Sequence, residues 1–289
     1  MANEIKASDM AKVLGIEFVS KFVETLQPLL TVLGIAEPEV IAAGTQIERY
    51  NITGTLQDGT VTEGNDVPNS KYEEELVGTY KAELKKYRKT TTEEAILKSG
   101  YDRAVAKTDD KFFGDIHNAI RAQFFGFFDD DNATVIDADT NLKAALSHAA
   151  GQLAYIASDK GYEGTTPVFF VNPLDVYDYL ADANIYNVEN AFGFRYIENF
   201  LGLGLTILDA RVTQATVWAT FVENINCYAV DLDGLNEAGF DYVADETGIV
   251  GVHHDVTYRN GVAETHVRTG LIFVPTYANM IVEGSVNPS

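Results

Sequence analysis

Apolar residues at Ile16, Val19, Val23, Leu26 and Leu30 recur every three or four positions, which predicts an amphipathic helix whose last turn Pro28 disrupts. The pattern then changes. An extended stretch near Thr45 to Leu56 runs into Gln57-Asp58-Gly59-Thr60 and Glu63-Gly64-Asn65-Asp66-Val67-Pro68-Asn69-Ser70, all turn formers. On the return, Tyr72, Leu76, Tyr80, Ala82 and Leu84 share one parity, while Glu73, Glu75, Lys81, Glu83 and Lys85 take the other. That alternation predicts a strand with one apolar face. Tyr72, Leu76, Tyr80 and Leu84 also fit a four-residue helical step, and Gly78 between Val77 and Thr79 favours the strand. A long two-stranded hairpin is marginally stable alone, so this one needs a surface to lie on, and a neighbouring subunit is the obvious candidate.

Past Lys89 the period becomes helical. Thr90-x-x-Glu93 and Thr91-x-x-Glu94 both match a capping box. Behind them Leu97, Tyr101, Val105, Phe112, Ile116, Ile120 and Phe124 form one stripe. Taken as a single helix from Thr92 to Phe125, it would be about 50 Å long. Gly100 and Gly114 each cost roughly 1 kcal/mol against alanine, and Thr108-Asp109-Asp110 is the expected break. Such a helix acts as a strut more readily than as one layer of a compact core.

Asp129-Asp130-Asp131-Asn132 reads as a hinge into a second, α+β lobe. There a helix over about Thr140 to Asp159 carries Leu142, Ala145, Leu146, Ala149, Leu153 and Ile156 on one side. Val168-Phe169-Phe170-Val171 is a buried strand, and Asn172-Pro173 turns into a short helix over Leu174 to Leu180. Leu203 to Leu208 and Ala215 to Phe221 are further strands. From Leu235 the tail is strand-rich. Asn260-Gly261 is the strongest hairpin signal in the chain. Pairing outward from it sets Tyr258 opposite Ala263, Val256 opposite Thr265 and Asp255 opposite His266, with Leu271 to Val274 continuing the second strand until Pro275.

With 289 residues the chain buries roughly 75% of its unfolded surface, so it needs no metal or disulfide staple. Its net charge of −22, from 43 acidic and 21 basic residues, argues against a nucleic-acid reader, because phosphate neutralisation needs clustered Lys and Arg. One strong basic cluster exists, Lys85-Lys86-Tyr87-Arg88-Lys89, which reads as a solvated strand end before it reads as a phosphate patch. The N-terminus, with Glu4, Lys6, Asp9 and Lys12, is no signal peptide, and Leu29 to Ala36 is far short of a bilayer span.

Catalytic constellations are scarce. Cys227, the one cysteine, sits in an apolar run and reads as a buried structural thiol. Leu201-Gly202-Leu203-Gly204 lacks the third glycine of a dinucleotide loop and reads as a turn. His253 and His254 point to opposite faces of a strand, which opposes shared metal ligation. Asp231-Leu232-Asp233-Gly234 lacks the later ligands of a calcium loop. Asp129 to Asp131 and Asp137-x-Asp139 read as solvated acids before a weak divalent-ion site. Asn51-Ile52-Thr53 and Asn132-Ala133-Thr134 match glycosylation sequons that have no secretion signal to make them usable. No serine lies in a Gly-x-Ser-x-Gly elbow. Neither an enzyme nor a cofactor or metal is expected.

The order of parts carries a resemblance. Val61-Thr62-Glu63-Gly64-Asn65-Asp66-Val67-Pro68, then Leu84-Lys85-Lys86-Tyr87-Arg88-Lys89, then Glu93-Glu94-Ala95-Ile96 resemble the extended hairpin and spine-helix entry of the Hong Kong 97-type major capsid proteins of long-tailed phages of Gram-positive bacteria. Thr166 to Pro173 resembles that family's A-domain strand, and Asp245-Glu246-Thr247-Gly248 with Thr269 to Pro275 its closing P-domain strands. The resemblance implies an α+β fold with an N-terminal arm (1–40), an E-loop hairpin (41–88), a P-domain spine helix (89–131), an A domain (132–234) and closing P-domain strands (235–289).

It further implies a subunit that assembles with itself into pentamers and hexamers of an icosahedral head, located in the virion and assembled in the host bacterial cytoplasm. Packaged double-stranded DNA would be contacted weakly and without sequence preference, and no membrane would be involved. With the hairpin beginning by about Thr45, no room is left for the long scaffolding segment some members carry, so a separate scaffolding protein and a portal are the expected partners. No residue pair supports an isopeptide cross-link. Tyr72, Leu76, Tyr80, Leu84, Lys85, Lys86 and Arg88 are the candidate inter-subunit contacts. Two alternatives stay open: an encapsulin-like compartment, and an acidic α+β ligand-binding protein or enzyme with an enclosed pocket.

Overall fold

A computed structural model of the chain describes residues 38–128, 133–161, 166–181, 189–191, 194–244 and 250–287. The amphipathic stretch from Ile16 to Leu30, the acidic run Asp129 to Asn132 and the segment Asp245 to Gly248 lie outside the described residues. In chain order come β1 (Glu39–Ile41), β2 (Gln46–Thr55), β3 (Lys71–Lys81), β4 (Lys85–Thr92), α1 (Glu93–Ser99), a π-helical turn (Asp102–Ala106), α2 (Lys107–Phe125), β5 (Thr134–Val135), α3 (Leu142–Asp159) and β6 (Pro167–Val171). Then follow α4 (Pro173–Ala181), β7 (Glu189–Ala191), β8 (Phe194–Phe200), β9 (Gly204–Leu208), β10 (Thr216–Phe221), β11 (Ile225–Val230), α5 (Asp233–Glu237), β12 (Val243–Ala244), β13 (Val250–Thr257), β14 (Val262–Thr269), β15 (Leu271–Pro275) and β16 (Val282–Ser285).

The strands of the described residues form four sheets: β5-β16-β10-β6-β9-β8-β7, β12-β13-β14-β4, β1-β11-β15 and the ribbon β2-β3. In the seven-stranded sheet β6 is buried on both faces, which its unbroken Val-Phe-Phe-Val run allows. Val168 and Phe170 enter one core with Ile207 and the helix residues Ile116, Ile120 and Phe124. Phe169 and Val171 enter a second core with Leu146, Ala149 and Leu153 of α3. That helix begins where Asn141 accepts the Ala144 N–H at 2.9 Å, and its predicted stripe is the buried side. Phe124 is the aromatic hub of the first core, 4.9 Å from the Phe273 ring and 5.6 Å from Phe170.

The helical segment departs from the single 50 Å rod expected. Thr92 caps it, its hydroxyl accepting from Ala95 N at 3.3 Å, while Thr90 and Thr91 belong to β4. The rod ends at Gly100, whose φ of 79° lies in the left-handed region that glycine tolerates. A π-turn follows, and the straight α2 of 19 residues is about 28 Å long. The break falls at glycine and not at Thr108-Asp109-Asp110, because Asp109 and Asp110 sit in the first turn of α2, where negative charge favours the helix dipole.

The tail needs two corrections. Tyr258 to Gly261 form a four-residue loop, so Val256 pairs with Ala263 and Asp255 with Glu264, two residues away from the expected register. A slip of two keeps every side chain on its predicted face, which is why alternation could not reveal it. The run Leu271 to Val274 does not continue β14. The chain changes sheets at Gly270, and β15 pairs with β11. A Cβ on Gly270 would stand 2.5 Å from Val230 Cγ2 and 2.6 Å from its Cβ, so only glycine fits this crossing.

Candidate functional site

Among the described residues the ribbon β2-β3 is exposed along most of its length. Strands of ten and eleven residues make it roughly 33 Å long. Its base is fixed to the body. Gly44 N–H donates to Ala82 O at 2.7 Å and Ala82 N–H to Thr45 O at 2.9 Å. Ile47 and Tyr80 pack on a small core of Ala82, Val230, Ile272 and Val274. Arg49, only 7% exposed, donates to the Tyr80 hydroxyl at 3.1 Å, with its guanidinium carbon 5.7 Å from the Tyr80 ring centroid. At the far end Gln57 N–H donates to Ser70 Oγ at 2.9 Å, and residues 56–69 beyond are exposed throughout. The Thr60 N–H donates to Asp58, holding that carboxyl below its usual range.

A bulge divides the ribbon. Arg49 pairs with Gly78, but Tyr50 pairs with Leu76, leaving Val77 as the extra residue. One added residue reverses the parity of β3. Tyr72 and Leu76 therefore lie on the face opposite Tyr80, and the expected single face holding all three is corrected. Tyr72, Leu76, Tyr50 and Ile52 share this second face and are 58%, 50%, 47% and 63% exposed. The Tyr72 ring lies against Gly54, its cross-strand partner, where a Cβ would collide with it. The Tyr50 hydroxyl donates to Glu48, and that bond pushes its pKa up.

Tyr80 and Leu84 have a different place from Tyr72 and Leu76. Both are half-buried against the small core of their own chain. Tyr50 and Ile52 were absent from the sequence-based set, although Glu48, Tyr50, Ile52 and Gly54 alternate with Ile47, Arg49 and Asn51 in a way that marks a two-faced strand.

The ribbon strand ends at Lys81, and Lys85 to Thr92 form β4, the edge of a different sheet, beside β14. The basic cluster splits by role. Arg88 pairs with Glu264 at 2.5 Å, and Glu264 also lies 3.0 Å from His266 Nε2. Burial opposes ionisation of Glu264, but Arg88 and His266 outweigh it and hold the carboxyl below its usual range. Lys89 points into the body. Its Nζ lies 2.6 Å from Asp109, 2.6 Å from Thr108 Oγ1 and 3.1 Å from Val105 O, a carbonyl of the π-turn. Lys85 and Lys86 are exposed.

The remaining candidates fall into structural roles. Cys227 is buried in β11, and desolvation pushes its thiol up to about 12. His253 faces His266, with ring centroids 6.2 Å apart, while His254 Nδ1 lies 3.2 Å from Thr265 Oγ1 on the other side of the sheet. Leu201 and Gly202 form the turn between β8 and β9, with φ of 56° and 75°. Asp231 accepts the Asp233 N–H at 2.8 Å as an entry to α5. Among the described residues no three His, Cys, Asp or Glu side chains converge as a metal site, and no helix is long and apolar enough to cross a membrane. A cleft of about 610 Å³ beside the ribbon, lined in part by Tyr50, Ile52, Tyr228, Thr276, Tyr277 and Lys160, is open to solvent and is not an enclosed pocket.

No sequence family matches the chain, and no curated protein is similar to it in sequence. Its structure is similar to the cyanophage A-1(L) capsid asymmetric unit, with a TM-score of 0.60 at 12% identity over 90% of this chain and 93% of that one. The asymmetric unit of the bacteriophage PhiM1 mature capsid matches with a TM-score of 0.54 at 12% identity, over 88% and 86% of the two chains. The virus-like particle from Pyrococcus furiosus matches with a TM-score of 0.52 at 8% identity, over 97% and 100%. The chain thus has the mixed α+β fold of phage capsid and virus-like-particle shell proteins.

Proposed function

We propose that this chain is a structural shell subunit, the major capsid protein of a tailed phage, which assembles with itself into pentamers and hexamers of an icosahedral head around double-stranded DNA. The observation that carries this reading is the ribbon. It leaves a body that has its own cores and presents Tyr50, Ile52, Tyr72 and Leu76 about half exposed among the described residues. An isolated ribbon of this length is marginally stable, and a neighbouring copy supplies the missing surface. The similarity to capsid structures over most of the chain supports the same conclusion. In this reading β2-β3 with its tip is the E-loop, α2 is the spine helix, β5 to β10 with α3 belong to the A domain, and β12-β13-β14-β4 with β16 to the P domain. A separate scaffolding protein and a portal complete the assembly, and the net charge of −22 suits a wall that DNA does not adhere to.

The second reading is an encapsulin-type compartment, favoured by the end-to-end match to a virus-like particle. Negative-stain microscopy of the purified protein tests the shell itself: closed particles are expected, and a monodisperse small oligomer would overturn both readings. Nuclease-protected DNA inside particles isolated from the native source supports the phage head, whereas a packaged protein supports the compartment.

A further inference from the structure

Two sets of charges on this chain make no ion pair among the described residues. On the ribbon Glu73 is held by Lys71, but Glu74 and Glu75 have no basic partner. Residues 46–81 hold seven carboxylates against three basic side chains, and Arg49 among these is turned inward on Tyr80. On β4, Arg88 and Lys89 are engaged by Glu264 and Asp109, while Lys85 and Lys86 are exposed and unpaired.

Within one copy the described residues bring no member of one set to the other. Glu75 lies six residues before the end of β3, so strand rise alone places it about 20 Å from Lys81, and Lys85 begins a strand of another sheet. Resting on the shell reading above, we propose that Glu74 and Glu75 of one copy dock against Lys85 and Lys86 of the next. Acidic donor and basic receiver are different patches of the same chain, so the contact can repeat head-to-tail around a ring, as the shell reading requires. Tyr72 and Leu76 flank Glu74 on one face of the ribbon while Glu75 lies on the other, so docking through Glu74 also covers the exposed apolar face. Opposite charges at its edge steer the approach and set the register, a role that salt weakens, since charges are screened within roughly 10 Å at 0.1 M.

Charge swaps in the whole chain test this. Lys85→Glu with Lys86→Glu, and separately Glu74→Lys with Glu75→Lys, should each abolish closed shells while leaving the circular dichroism spectrum and melting temperature of the free subunit unchanged. Combining all four substitutions in one chain should restore shells. Mixing the two defective variants should give six-membered rings or sheets without closed shells, because alternating copies satisfy every contact in an even ring and leave a mismatch in a ring of five. Normal shells from either two-site variant, or no recovery in the four-site variant, would overturn the pairing while leaving the shell reading intact. A wild-type chain that forms no rings or shells overturns both.

Discussion

Lys89 and Asp109 form an ion pair at 2.6 Å with side chains only 16% and 8% exposed, joining edge strand β4 to the first turn of α2. Asp109 also accepts from Thr265 Oγ1 at 3.0 Å. The pair thus ties together three elements, just past the π-turn whose Val105 carbonyl Lys89 also reaches. A buried pair stabilises less by existing than it destabilises when halved. Lys89→Met should lower stability by about 3 kcal/mol, because Asp109 keeps its charge and loses its counter-ion. Asp109→Asn should lower it less, since the Lys89 ammonium retains Thr108 and Val105 as acceptors. Urea denaturation of both variants checks the ordering, and equal losses would contradict it.

Glycine at 270 is required by contact and not by its dihedral angle. Gly270→Ala places a methyl group against Val230 and should lower stability by about 2–3 kcal/mol. Val230→Ala in the same chain should recover part of that loss. A double-mutant cycle with no coupling between the two sites would refute the steric explanation.

Much of the body was legible from the chain alone. The stripe on α3 and the unbroken apolar run of β6 are local patterns, and burial follows them directly. What was hidden depended on distant partners. The basic cluster reads as uniform along the chain, yet Lys89 is buried because Asp109, twenty positions later, faces it. Alternation in β3 could not show that Val77 is a bulge, because an extra residue is defined only against the opposing strand. The face shared by Tyr72 and Leu76 with Tyr50 and Ile52, and its separation from Tyr80, followed from that pairing.

Acid should destabilise the free subunit through its histidines. Desolvation first, and then the nearby Arg121, push the His117 pKa from 6.5 down to about 4. Burial also lowers the values of His254 and His266. With the folded value below the unfolded one, the unfolded chain binds more protons in between, so stability is complete above about 6.5 and declines as pH falls toward 4. For His117 alone the slope is at most about 1.4 kcal/mol per pH unit, reduced because the ring is only partly buried. Denaturation midpoints across that window should fall with pH, and His117→Gln should flatten the decline. An unchanged slope in that variant would rule out His117 as a contributor.

The Cys227 thiol should resist modification in the folded chain. Burial both blocks access and pushes its pKa up to about 12, so almost no thiolate exists at neutral pH. Reaction with a disulfide reagent should run at the rate of unfolding and become fast in denaturant. Rapid labelling of the native protein would contradict the packing of β11 against β15.

The ribbon separates folding from assembly in a way that four alanine substitutions can resolve. Tyr72 and Leu76 are exposed on the ribbon face opposite Tyr80, so removing them takes little from the isolated subunit, within about 0.5 kcal/mol for surface positions. Tyr80 and Leu84 pack against Ala82, Val230, Ile272 and Val274, and Tyr80 also accepts from Arg49. Tyr80→Ala leaves the Arg49 guanidinium without that acceptor and opens the small core, which should lower stability by about 2–3 kcal/mol. Leu84→Ala should fall between. If the exposed face is an assembly surface, Tyr72→Ala and Leu76→Ala should raise the concentration needed to form shells several-fold, with melting curves of the free subunit unchanged. Light scattering against protein concentration measures the first effect and calorimetry the second. Equal loss of stability from Tyr72 and Tyr80 would show that the ribbon packs on its own body through both faces, and the assembly role would then have to lie elsewhere.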